Sequence, residues 1–145
     1  MSPTPEEVRS ALARVVASPG FVSAGRLAPF LTFVVDRALS GEPIKESIVG
    51  VGVFGRAADY DPRLDPIVRV EARRLRSRLA EYYAGAGMND PVWIELPKGT
   101  YAPVFVHREL EDVENGSLPP TEAQTRAKPR WLPWALVAVA GVGML

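Results

Sequence analysis

Residues 65–84 constrain the fold more than any other segment, because they have the pattern of an amphipathic helix with a marked start. Asp65 suits the N-cap and Pro66 suits the first helical position. Apolar residues then recur at steps of four and three. They predict one buried stripe, formed by Val68, Ala72, Leu75, Leu79 and Tyr82. The sequence therefore predicts a helix with one side that packs and another that stays outside the core.

Five arginines of this helix lie outside the stripe. At about 100° per residue, Arg69, Arg73 and Arg76 fall within a narrow arc beside the stripe, and Arg74 and Arg78 fall on the opposite side. A helix that packs on one side and carries guanidinium groups elsewhere suits insertion into a DNA major groove. The alternative is a solvated surface whose arginines pair with nearby glutamates.

Three further helices are predicted before this one. Thr4, Pro5 and Glu7 have the spacing of a capping box, which starts a helix that extends to Ala17. Apolar spacing predicts a second helix over about 23–39, with Pro29 in its first turns or marking a later start. A third is predicted over 44–54, weakened by two glycines.

A β-hairpin is predicted after the arginine-bearing helix. Residues 92–96 alternate between apolar and other side chains, and residues 101–106 form a second β-rich run. Turn residues separate them and place Lys98 at the tip. Lys98 and the amides of Gly99 and Thr100 are suited to binding phosphate without reading a base sequence.

The composition argues against several kinds of catalytic or metal site. The chain has no cysteine, which excludes disulfides and thiolate zinc sites, and its one histidine, His107, is expected on the surface at a strand end. Residues 50–55 match G-x-G-x-x-G, but a helical pattern precedes them where a dinucleotide site needs a strand. Asp59, Asp61 and Asp65 fail the EF-hand spacing. We therefore predict no catalytic residues, no metal and no cofactor, and expect this chain not to be an enzyme.

The remaining sequence predicts a tether and a membrane segment. Residues 108–130 turn acidic and rich in proline, as expected of a flexible linker. Residues 131–145 contain no charged or polar side chain and are interpreted as the truncated start of a transmembrane helix. Three basic residues before it predict that residues 1–130 lie in the cytoplasm, next to the membrane. A C-terminal core helix is the alternative.

Several of these segments together resemble a known family. Residues 74–79 read RLRSRL, and residues 98–101 read KGTY. With residues 27–39 and 44–55, they resemble the OmpR/PhoB-type winged helix-turn-helix domain, as found in bacterial CadC-like membrane-anchored regulators. The resemblance implies an α+β, mostly helical domain over residues 1–107, with a three-helix core and a β-hairpin wing. An extra N-terminal helix stands where the family has a four-stranded sheet.

The resemblance and the arginine pattern imply a transcriptional regulator that binds double-stranded DNA. Arg69, Arg73 and Arg76, with Val70 and Ser77, would reach base edges, because arginine is suited to bidentate contact with guanine. Phosphates or a second protomer would be held by Arg74, Arg78 and Lys98, with Thr100 beside them. The resemblance further implies a homodimer and a contact with RNA polymerase. Two alternatives stay open: a protein-interaction module, and the regulatory N-terminal fragment of a membrane signalling enzyme such as an adenylate cyclase.

Overall fold

A computed structural model describes residues 1–109, and in this part of the chain five helices precede one antiparallel hairpin. About half of these residues are helical, so the predicted α+β class is confirmed. The elements are α1 (Pro5–Ala17), α2 (Pro19–Val22), α3 (Leu27–Leu39), α4 (Glu46–Gly52), α5 (Ile67–Ala84), β1 (Val92–Glu95) and β2 (Val104–His107).

Helix α5 lies at the centre of the packing, in contact with α2, α3, α4 and β1, and α1 covers α2, α3 and β1. The stripe predicted from its sequence is buried along its whole length, from Val68 to Tyr82. Apolar side chains of α1, α3 and β1 meet it in one core. The fully buried members include Val8, Val15, Phe30, Leu31, Val34, Val35 and Ile94.

The start of α1 matches the predicted capping box. The Thr4 hydroxyl accepts a hydrogen bond from the Glu7 amide at 3.3 Å, and the Glu7 carboxylate accepts one from the Thr4 amide at 2.7 Å. The bonds that Thr4 donates hold the pKa of the Glu7 carboxyl below its usual value. Local sequence alone therefore sets where this helix begins.

Helices α3 and α4, which correspond to the second and third predicted helices, are shorter than predicted. Helix α3 begins at Leu27 and not at 23, because α2 ends at Val22 and the chain then turns through Gly25, whose φ is +23°. Helix α4 covers only Glu46–Gly52 of the predicted 44–54. The glycines in α4 stand where aromatic rings approach its backbone. A Cβ added at Gly50 would lie 2.5 Å from the Tyr60 ring.

The hairpin pairs Val92 with His107 and Glu95 with Val104. The second strand begins at Val104 and not at residue 101, since the Ala102 amide donates to the Thr100 hydroxyl and not to the opposite strand. The connection is therefore longer than the predicted four-residue turn. Gly99 takes a φ of +82° within it, a conformation that other residues rarely adopt.

No helix within residues 1–109 is both long and apolar enough to cross a bilayer. The membrane segment predicted over 131–145, and the predicted linker apart from residues 108 and 109, lie outside the described residues.

Candidate nucleic-acid interface

Helix α5 turns one side away from the core, and four of the nine residues predicted to bind DNA lie there. Val70, Arg73, Arg74 and Ser77 are all exposed. Val70 is 45% exposed although it is apolar. Exposed apolar and polar side chains next to a guanidinium group are the combination that can contact thymine methyl groups and base edges.

Arg73 is the arginine of this surface that the protein itself leaves available. Within residues 1–109 its side chain has no hydrogen-bond or ion-pair partner, unlike the other four arginines of α5. An exposed guanidinium keeps all five N–H donors for an external acceptor. The structure therefore separates Arg73 from Arg69 and Arg76, with which the sequence had grouped it.

Arg69 is bound to the segment that precedes α5. Its Nε donates to Glu46 Oε1 at 2.9 Å, and its Nη2 donates to the Pro62 carbonyl. The hydrogen bond and charge of Glu46 raise the pKa of the Arg69 guanidinium. Glu46 opens α4, so this pair joins α4 to the first turn of α5.

Arg76 is bound to the hairpin. Its Nε donates to the Leu96 carbonyl at 2.9 Å, and its Nη2 donates to the carbonyls of Pro97 at 3.1 Å and Thr100 at 3.0 Å. One half-buried guanidinium thus serves three acceptors of one connection. Arg76 braces the fold in this arrangement, and three of its contacts are already made inside the protein.

Arg74 and Arg78 are paired along their own helix. Arg74 Nη1 lies 3.2 Å from Glu71 Oε1, and Arg78 Nη1 lies 2.9 Å from Glu81 Oε2. Glu71 is only 5% exposed, which is rare for a carboxylate, whereas the Glu81 side chain is 63% exposed. Neutralisation by these glutamates reduces, but does not abolish, the attraction of this side of α5 for anions.

Lys98 and Thr100 lie on the connection that Arg76 holds. Lys98 is exposed, and within the described residues it has no carboxylate partner. Thr100 is half-buried, and its hydroxyl accepts from the Ala102 amide at 3.1 Å. The lysine is therefore carried by a connection whose carbonyls are fixed to α5.

The start of α5 is held by Asp65 in a way that the sequence indicated only in part. Its Oδ1 accepts from the Ile67 amide at 3.1 Å, but the N-cap is Pro66 and α5 begins at Ile67, so the predicted start with Asp65 as N-cap is wrong by one residue. Its Oδ2 also lies 2.6 Å from Arg56 Nε, and the Tyr60 hydroxyl donates to its carbonyl at 2.7 Å. Arg56 lowers the pKa of the Asp65 carboxyl.

Sequence reasoning did not identify Glu46 and Arg56 as partners of the α5 arginine and aspartate. Glu46 is 23 residues from Arg69, and Arg56 is nine residues from Asp65. Neither spacing is a helical or strand repeat, so no local pattern points to these pairs.

No group of three or more His, Asp or Glu side chains within residues 1–109 is arranged to hold a metal ion. His107, at the end of β2, lies 3.5 Å from Glu7 Oε2, and its side chain is 31% exposed.

Comparison of the chain with models of known protein families, with curated proteins and with solved structures found no match in any of the three.

Proposed function

We propose that residues 1–107 form a winged helix-turn-helix domain that binds double-stranded DNA. In this proposal α5 enters the major groove, α3 and α4 support it, and the hairpin is the wing. The observation that carries the proposal is Arg73, which is exposed on the side of α5 that faces away from the core and has no partner within residues 1–109. A helix about 10–12 Å across matches the major groove in width.

The roles of the arginines follow from their contacts. Arg73, with Val70 and Ser77 beside it, is assigned to base edges. Arg69 and Arg76 are assigned to bracing, because Glu46 and the hairpin carbonyls already take their hydrogen bonds. Lys98 is assigned to the phosphate backbone, where contacts fix position and carry no sequence information.

The proposed biological role is that of a transcriptional regulator. One small domain contacts few base pairs, so we propose that two copies bind neighbouring half-sites. A tether to the bacterial inner membrane, with residues 1–130 in the cytoplasm, stays part of the proposal on the strength of the apolar sequence over 131–145 alone.

The experiment is a titration of duplex DNA against the wild type, Arg73→Ala, Arg73→Glu and the control Arg9→Ala. Arg9 is an exposed arginine of α1 and belongs to none of the contacts described above. We expect Arg73→Ala to weaken binding, Arg73→Glu to weaken it further, and the control to bind as the wild type does. A salt series should give a negative linear slope of log affinity against log salt concentration, about −0.9 per neutralised phosphate.

Two results would contradict the proposal: no duplex binding at low salt, or unchanged binding by Arg73→Glu. Thermal unfolding of each variant separates lost contacts from lost folding. Because Arg73 has no partner within residues 1–109, its replacement should leave the unfolding temperature almost unchanged.

A protein partner is the second candidate, favoured by one observation. Three of the five α5 arginines already face carboxylates of their own chain, in the pairs Arg69–Glu46, Arg74–Glu71 and Arg78–Glu81. A helix surface neutralised in this way is less suited to a polyanion than five unpaired arginines would be. Binding that depends on α5 but is not competed by duplex DNA would favour this candidate.

A further inference from the structure

A groove lies beside α5, between that helix and the turn that leads into α3. Its cavity volume is about 610 Å³, and residues 24–27 form one wall. Four guanidinium groups line it, those of Arg26, Arg73, Arg74 and Arg78. Arg26 comes from a part of the sequence in which no candidate binding residue was predicted.

This groove and the hairpin lie on different sides of α5. Arg76 faces the hairpin, since three hairpin carbonyls accept its hydrogen bonds. Arg74 and Arg78 are each two residues from Arg76 along the helix, which places each about 160° away around the axis. The exposed side of α5 that carries Val70 and Ser77 lies between the groove and the hairpin.

The charges of the groove favour an anion. Glu71 and Glu81 balance Arg74 and Arg78, with which they pair. Arg26 and Arg73 have no carboxylate partner within residues 1–109, which leaves two positive charges in excess. The buried Glu71 is turned to Arg74, so the unpaired cations are the groups that an arriving ligand meets.

We propose that this groove binds a backbone phosphate of the same DNA duplex, with Arg26 as its principal contact. The inference rests on the proposed function and adds a second phosphate contact to it. An α-helix in the major groove has a phosphate backbone on either side. Lys98 would contact the backbone on the hairpin side, and Arg26 the backbone on the side of the groove.

The test compares the salt dependence of duplex binding for the wild type, Arg26→Ala, Arg26→Glu and the control Arg9→Ala. Loss of one phosphate contact should reduce the steepness of the salt slope by about 0.9 in Arg26→Ala. Arg26→Glu should bind more weakly than Arg26→Ala. The loss should be equal for duplexes of different sequence, because phosphates carry no base identity. The control should keep the wild-type slope.

A duplex in which single phosphates are replaced by uncharged methylphosphonates locates the contact. Replacement at one phosphate position should weaken binding by the wild type, and the same replacement should not weaken binding by Arg26→Ala any further. If Arg26→Glu binds with the wild-type slope while Arg73→Glu loses binding, the groove is not a phosphate site and the proposed function stands. If the wild type does not bind any duplex at low salt, the proposed function and the groove assignment both fail.

Discussion

The guanidinium group of Arg76 donates from Nε to the carbonyl of Leu96 at 2.9 Å, and this contact joins the longest helix to the hairpin connection. The carbonyls of Pro97 and Thr100 accept from Nη2 of the same side chain. Chain connections usually satisfy such carbonyls with water. Here a single cation binds three of them, so one side chain ties the hairpin connection to α5.

Replacement of Arg76 by methionine should lower the free energy of unfolding by about 2 kcal/mol, because a hydrogen bond to a charged group contributes roughly 1.5–3 kcal/mol. Arg73→Met is the matched control on the same helix. It removes a guanidinium without a partner in the described residues and should change stability by less than about 0.5 kcal/mol. Urea unfolding measures both. Equal effects of the two substitutions would contradict the bracing role of Arg76.

The same contact predicts a coupling in DNA binding, if the proposed function holds. Lys98→Ala should weaken duplex binding by the wild type, because Lys98 is held where the backbone passes. In an Arg76→Met background the same substitution should have little further effect, because the connection is no longer fixed. Additive losses, measured by titration of all four proteins, would contradict this coupling.

The features predicted correctly from the sequence are those that neighbouring residues determine. The buried stripe of α5 follows from a 3.6-residue period, and the capping box of α1 follows from residues three apart. The contacts of Arg69 and Arg76 join residues 23 and 20 positions apart. Helical periodicity shows on which side of α5 an arginine lies, but it does not show which other element packs there.

The hairpin illustrates the same limit of local patterns. Alternation predicted the first strand and β-rich composition predicted the second, but residues 101–103 form no ladder. The Ala102 amide donates to the Thr100 hydroxyl instead of to the opposite strand. Arg26 had no local signal either, since its position beside α5 comes from the packing of the turn before α3.

Gly50→Ala should destabilise the protein although alanine favours helix. Alanine gains about 1 kcal/mol over glycine in a helix interior. The new Cβ, however, would lie 2.5 Å from the ring of Tyr60, which its hydroxyl holds to the Asp65 carbonyl. Overpacking of this kind costs about 1–3 kcal/mol, so we expect a net loss in urea unfolding. Ser47→Ala, an exposed position of α4, is the control and should be neutral or slightly stabilising. A more stable Gly50→Ala variant would contradict the close approach.

Asp65 should make stability sensitive to acid. Its pKa is lowered below 3.8 mainly by the hydrogen bond from Arg56, so on acidification the unfolded chain takes up the proton first. The stabilisation by the ionised Asp65 carboxylate is complete above the unfolded-state pKa of 3.8, and it is lost as the pH falls through the folded-state pKa. Asp65→Asn removes the charge pair and keeps an oxygen for the Ile67 amide. The difference in urea midpoint between wild type and variant should therefore shrink below pH 3.8. A difference that is independent of pH would contradict the pairing.

Tyr83 should make the stability of the protein sensitive to alkaline pH. Its hydroxyl oxygen accepts from the Ile94 amide at 2.7 Å, and burial raises its pKa from 10.0 to about 12. Tyr83→Phe leaves that buried N–H without its acceptor and should cost about 1–3 kcal/mol of stability at neutral pH. Above pH 10.0 the unfolded wild type releases a proton that the folded protein retains, so wild-type stability falls as the pH rises towards the folded-state value. The variant lacks this phenol. The stability difference between the two proteins should therefore narrow above pH 10.0, and a constant difference would show that the Tyr83 hydroxyl ionises equally in both states.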